Sequence, residues 1–163
     1  MPDRPEPGPN EESVWDYPRP PALEPTDRRV RVVFHDTTIA DTTDAKRILE
    51  TSHPPVYYLP PEDVATEYLT RENRTTMCEF KGRAVYYTLT VGDRSAPQAA
   101  WQYPSPVERY AALQDHFAFY LSKIDAGYVG DEQARAQEGD FYGGWITDDI
   151  VGPFKGGTGT MGW

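Results

Sequence analysis

Proline and glycine are segregated to opposite ends of this chain, and that constrains its fold more than any other feature. Eight of the 16 prolines fall within residues 1–25, and ten of the 13 glycines fall from Gly127 onward. Proline fixes φ and removes a backbone donor, and glycine carries a high entropic cost of ordering, so neither end favours long regular elements. The aliphatic and aromatic alternation that can build a core lies between them. The chain therefore divides into an acidic, Pro-rich tail expected to be disordered (1–12), an extended arm (13–27), one globular domain (28–125) and a Gly/aromatic-rich extension (126–163). Val14, Trp15 and Tyr17 sit among prolines in the arm, which predicts that it packs on the domain surface. A chain of 163 residues is expected to form a single core.

Within the domain, Val30, Val32 and Phe34 alternate as one face of a strand, His35–Thr38 reads as a turn, and Ile39-Ala40 begins the return. Asp41, Thr42 and Thr43 are good N-caps, and Ala45, Ile48 and Leu49 predict a short helix that Pro54 and Pro55 stop. Val56–Leu59 reads as a short strand. Thr75–Phe80 and Ala84–Val91 flank Lys81-Gly82-Arg83 and predict a hairpin, with Gln98–Tyr103 as a third strand. Ser105-Pro106-Val107-Glu108 has the form of a capping box with proline at the first helical position. Val107, Tyr110, Leu113, Phe117, Leu121 and Ile124 then recur at steps of three and four. The expected class is α+β and β-rich: a small curved antiparallel sheet or partial barrel, with one long C-terminal helix and one short helix.

Composition excludes several classes of function. A net charge of -10 argues against nucleic acid or an anionic membrane as partner, since both require a basic footprint. A single cysteine excludes an intramolecular disulfide framework and any zinc site needing two thiolates. No apolar run reaches the ~18 residues of a membrane span, and Met1-Pro-Asp-Arg-Pro-Glu6 is not a signal-peptide start, so a cytoplasmic protein is expected. Gly157-x-Gly159-x-x-Gly162 has the letters of a dinucleotide fingerprint but no following helix to meet a pyrophosphate. The three histidines show no metal-ligand spacing: His35 reads as a turn residue, His53 as a helix terminus and His116 as an exposed helix position. No metal site and no cofactor can be named from these residues.

Chemistry is suggested at the hairpin and on the strands beside it. Cys78 is either a small buried hydrophobe or a thiol activated by Lys81, three residues on. In an ideal strand the two would face opposite ways, so any pairing needs the turn to swing Lys81 round. Tyr57-Tyr58, Tyr86-Tyr87 and Trp101-x-Tyr103 put paired aromatics on three predicted strands, with Trp101 and Tyr103 sharing a face. They read equally as cross-strand core pairs or as an aromatic pocket that Lys81 and Glu50 supply with polar anchors. Glu50, at the end of the expected short helix, sits on the unfavourable end of its dipole.

These residues carry a resemblance. Ile39-Ala-Asp-Thr42, Leu49-Glu-Thr-Ser-His-Pro-Pro-Val-Tyr-Tyr58, Glu62-Asp-Val64, Thr76-x-Cys78-x-x-Lys81-Gly82-x-Ala84, Ala100-Trp-x-Tyr103 and Phe117-x-Phe-Tyr120 resemble the family known as domain of unknown function 427. The likeness covers roughly residues 28–125. The chain is also similar to a bacterial subgroup carrying the arm Glu12–Pro21 and the tail from Gly143-Gly-Trp-Ile-Thr147 to Trp163. The resemblance implies a compact β-rich domain without an assigned activity. A nucleotidyltransferase-like label attached to the family implies paired carboxylates holding Mg²⁺, yet the sequence has no Asp-x-Asp. It also departs from the family in carrying Glu79 after the motif cysteine, where a carboxylate would raise a neighbouring thiol pKa.

Two functions of different class follow. One is a small-molecule-binding domain, enzymatic or not, in which Tyr57 or Tyr58, Trp101 and Tyr103 line a pocket for a planar, anionic ligand. Lys81 neutralises that ligand, and Cys78 and Glu50 lie beside it. The other is a non-enzymatic interaction module that forms homo-oligomers through the Trp15 arm and the Trp163 tail.

Overall fold

The computed structural model describes residues 3–78 and 80–163. The chain runs through β1 (Glu12–Ser13), β2 (Ala22–Pro25), β3 (Val30–Phe34), β4 (Thr37–Thr42), β5 (Lys46–Leu49), β6 (Val56–Tyr58), β7 (Leu69–Cys78) and β8 (Gly82–Val91). It continues through β9 (Arg94–Gln102), β10 (Phe117–Phe119), β11 (Ala126–Val129), β12 (Glu132–Gln133), β13 (Arg135–Ala136), β14 (Trp145–Ile146) and β15 (Ile150–Val151). The helical segments among the described residues are short 3₁₀ turns, of which Glu108–Leu113 is the longest. None is long and apolar enough to cross a membrane.

Two four-stranded antiparallel sheets, ordered β10-β9-β8-β7 and β12-β11-β3-β4, share the principal core. A third sheet, β2-β5-β6, joins the first where Leu59 and Phe117 exchange both backbone hydrogen bonds at 2.8 Å. Strand alternation then gives this joined surface two apolar faces. Tyr57, Leu89, Phe117 and Phe119 enter the principal core with Val30, Val32 and Phe34. Tyr58, Tyr86, Trp101, Tyr103 and Ala118 face a second cluster on the opposite side.

The α+β expectation is overturned at both helices. The segment read as a short helix is the end of β4 followed by β5, a central strand between β2 and β6. Its inward face carries Arg47, 7% exposed, whose guanidinium donates to Glu12 Oε1 at 2.9 Å and Glu24 Oε1 at 2.7 Å. A strand face of Ala45, Arg47 and Leu49 does not look apolar until those two carboxylates arrive from β1 and β2. The segment read as a long helix breaks into the Glu108–Leu113 turn, a left-handed Asp115 (φ 62°), strand β10 and a second turn at Leu121–Lys123. Phe117, Phe119 and Leu121 also repeat at steps of two, so the periodicity suits a strand as well as a helix. The edge of β9 supplies the backbone partners that settle the choice, pairing Phe117 with Gln102 and Phe119 with Ala100.

The chain ends on either side of the domain fold onto it. Val14 is fully buried with Tyr17, Leu49 and Ile150, and β1 pairs in parallel with β15. Trp15 donates from Nε1 to Pro153 O at 2.9 Å and meets Trp163 edge-on at 5.4 Å. The aromatic groups of the arm and the tail thus cover one another within a single chain.

Candidate functional site

A cavity of about 500 Å³ opens on the second apolar face. Ile48 of β5, Val56 and Tyr58 of β6, Cys78 at the end of β7, Tyr86 of β8 and Trp101 of β9 supply walls from five strands. The volume lies within the range typical of small-molecule sites, as does the pattern of apolar walls with a few polar groups.

The hairpin turn brings Cys78 and Lys81 to the same cavity, as their pairing required. Cys78 pairs with Gly82, whose φ of 115° suits glycine and reverses the chain within a few residues. The backbone of Lys81 is then pinned by Val107, whose N–H donates to Lys81 O at 3.0 Å. Lys81 is only 9% exposed. Among the described residues its ammonium has neither a hydrogen-bond acceptor nor an ion-pair partner, while ten other ion pairs form elsewhere. The Lys81 stem is buried along the cavity wall, and an anion entering the cavity would gain a charge-assisted hydrogen bond from its ammonium. Glu79 lies outside the described residues.

The aromatic residues divide as alternation requires. Tyr58, Trp101 and Tyr103 line the cavity, whereas Tyr57 turns to the principal core and packs on Trp145 at 5.6 Å. Trp101 Nε1 donates to the Tyr58 hydroxyl at 3.3 Å, and Tyr120 lies against the Trp101 ring at 4.4 Å. Burial, the largest cause, pushes the phenols of Tyr58 and Tyr103 well above the usual tyrosine range. Both stay protonated at neutral pH and hydrogen-bond to one another, which leaves one hydroxyl proton of the pair to donate.

The charged groups of the lining oppose the charge of the whole chain. Among the described lining residues Arg74, Lys81 and Lys123 face Glu50 and Asp140, an excess of one positive charge in a protein of net charge -10. Glu50 follows a strand and not a helix, so the dipole argument for it lapses. Its carboxylate meets Arg19 at 3.4 Å, which partly neutralises it. Among the described residues no group of three or more His, Cys, Asp or Glu is placed to hold a metal ion.

Sequence reasoning missed His53 and the residues from Gly139 to Tyr142, all of which line the cavity. His53 follows no helix. It is 6% exposed, donates from Nδ1 to Thr51 O at 3.0 Å, and meets the Tyr142 ring edge-on at 4.7 Å. His116, read as exposed, is 9% exposed, with Nε2 at 3.1 Å from the Lys46 ammonium. His35 alone sits in the exposed turn expected of it.

Burial is the largest cause holding His53 and His116 below the ordinary imidazole value, against the opposing pull of the Thr51 and Gln114 carbonyls. Folding therefore favours their neutral forms. This contribution is complete above the unfolded value of about 6.5 and is lost as pH falls through the depressed folded values. Asp140 runs the other way: burial raises its pKa, so the penalty on its charged form is relieved as pH falls. Urea midpoints are expected to drop between about pH 7 and pH 5, and a His53→Gln, His116→Gln double variant to flatten that slope. An unchanged slope would mean that the two imidazoles titrate normally.

A family model described as domain of unknown function (DUF427), labelled NTP_transf_9, matches residues 22–130. A comparison with curated proteins finds no match.

Proposed function

The chain belongs to the DUF427 family, whose description names no activity, and we propose from the cavity itself that it binds a small, planar, anionic molecule. The observation that carries this reading is Lys81, nine-tenths buried and without a partner among the described residues, at the wall of a cavity lined by Tyr58, Trp101 and Tyr103. The ammonium accounts for the anion and the rings for the planar body. The neutral phenol pair adds a donor to the anion or to a ring substituent. The excess of positive charge among the described lining residues supports the same sign of ligand.

Titration calorimetry with naphthalene-1-sulfonate tests this, with nucleoside triphosphates plus Mg²⁺ added to the panel because of the family label. The intact chain is expected to bind the sulfonate. Lys81→Met, which keeps the stem and removes the charge, is expected to weaken binding at least about tenfold, the equivalent of one charge-assisted hydrogen bond. Lys81→Arg should retain most of it. No binding by any aromatic anion, or equal affinity in Lys81→Met, would overturn the reading.

Cys78 offers an independent reporter, because it is the only thiol and lines the same cavity. Alkylation of Cys78 by iodoacetamide is expected to slow about tenfold when naphthalene-1-sulfonate is held at ten times its dissociation constant, since only the free fraction reacts. An unchanged rate at saturation would place the sulfonate elsewhere.

A further inference from the structure

We propose that Tyr142 is a specificity-determining residue of this cavity and selects flat aromatic anions over aliphatic anions of the same charge. This rests on the reading above, and deepens it by assigning the ligand class to a segment that lies beyond residues 22–130 matched by the family model. Gly139, Asp140, Phe141 and Tyr142 form a strap along the cavity, opposite in sequence origin to the strands that supply its other walls.

The strap is fixed at both ends. At its start the Asp140 N–H donates to Gln137 O at 2.8 Å, and Asp140 Oδ2 accepts from the Ser122 N–H at 3.0 Å. At its end Gly143 and Gly144 press bare backbone onto the domain. A Cβ at Gly143 would stand 2.3 Å from Trp101 Cη2, and one at Gly144 would stand 2.5 Å from Pro54 Cγ. The Trp145 N–H then donates to Pro55 O at 2.8 Å. A segment tied at each end in this way holds its aromatic side chains in a defined place.

Tyr142 is the strap residue held best. Its ring takes the edge of His53 at 4.7 Å, Phe141 packs on it at 5.0 Å, and the Lys155 ammonium lies 5.2 Å from its centre. Phe141, by contrast, is 76% exposed. Tyr142 and Trp101 therefore bring aromatic surface to one cavity from two separate parts of the chain. Lys81 attracts any anion, but only a ligand with a π face gains from a second ring, and that gain distinguishes naphthalene from an alkyl chain.

The test measures dissociation constants of naphthalene-1-sulfonate and hexane-1-sulfonate for the full chain and for Tyr142→Phe, Tyr142→Leu, Tyr142→Ala and Lys81→Met. Tyr142→Ala and Tyr142→Leu are expected to weaken the naphthyl ligand about fivefold, from the loss of one aromatic contact, and to leave the hexyl ligand within about twofold. Tyr142→Phe should preserve the preference. The leucine variant retains apolar bulk, so the measurement stands if the alanine variant fails to fold. If Lys81→Met weakens both ligands while neither Tyr142→Leu nor Tyr142→Ala changes their ratio, the strap assignment is wrong and the anion site survives. If Lys81→Met changes neither ligand, the anion reading has failed and the strap assignment goes with it.

Discussion

Replacing Trp145 by alanine is expected to destabilise the protein by about 3–5 kcal/mol, the range for deleting a large aromatic from a filled core. Trp145 is 1% exposed and belongs to the principal core, although it lies outside the domain boundaries read from the sequence. Its indole packs on Tyr57 and donates from Nε1 to Phe119 O at 3.1 Å. The surroundings are also cut to its shape: a Cβ on Gly127 would stand 2.7 Å from Trp145 Cη2, so the ring occupies space that only glycine leaves. Alanine would leave a void bounded by the rigid strands β6, β10 and β11, which have little freedom to collapse. Urea denaturation followed by far-UV circular dichroism, extrapolated linearly, gives the value. A loss below about 1.5 kcal/mol would mean that the C-terminal extension is not integral to the core. Trp145→Phe should recover much of the loss, since it restores most of the volume and forgoes only the indole donor.

Gly143→Ala is expected to cost about 2–5 kcal/mol and to abolish naphthalene-1-sulfonate binding. Two effects add. Gly143 has φ of 75°, a conformation that costs an L-residue roughly 1–2 kcal/mol. The new methyl would stand 2.3 Å from Trp101 Cη2, and relieving such overpacking costs roughly 1–3 kcal/mol more. Trp101 lies in β9, a central strand of its sheet, and both its indole and the strap line the cavity, so a shift of either one reshapes the cavity wall. Gly159→Ala is the natural control, because it has φ of 83° and nothing within 4 Å of an added Cβ. It should show the conformational cost alone, with binding intact. Equal losses for the two variants would mean that contact with Trp101 is not what requires glycine at 143.

Much of the β framework was legible because its signals are local. The β7–β8 hairpin follows from two alternating runs flanking Lys-Gly, and β3 from Val30, Val32 and Phe34. Alternation also divided the aromatic pairs: it sends one residue of each neighbouring pair to either face, and Tyr57 and Tyr58 separate in that way. Trp101 and Tyr103, two apart, stay together. The convergence of Tyr58, Cys78, Lys81, Trp101 and Tyr103 was legible as a possibility, since motif residues on adjacent strands come within reach once those strands pair.

The two helices were misread for different physical reasons. At Ala45–Leu49 the missing information was electrostatic: Arg47 enters an inward strand face only because Glu12 and Glu24, remote in sequence, neutralise it. At 105–124 the periodicity served both structures, and local capping favoured the helix. The open edge of β9 offered Phe117–Phe119 backbone partners, and it let both phenylalanine rings reach the principal core together. A helix could not have presented residues 117 and 119 on one side.

The strap was out of reach for a related reason. Nothing in Gly139–Tyr142 repeats, and the meaning of Gly143-Gly144 lies in the rings pressed against them, Trp101 and the Pro54 ring. By itself the sequence determined which residues alternate, where the chain must turn, and that the aromatic residues and Lys81 lie on neighbouring strands, because those properties depend on a few consecutive residues. Tertiary structure alone decided that Lys81 is buried against the cavity with no ion-pair partner among the described residues, that Arg47 is inside, and that a distant segment completes the cavity. Each of those depends on which atoms arrive from elsewhere in the chain to replace water.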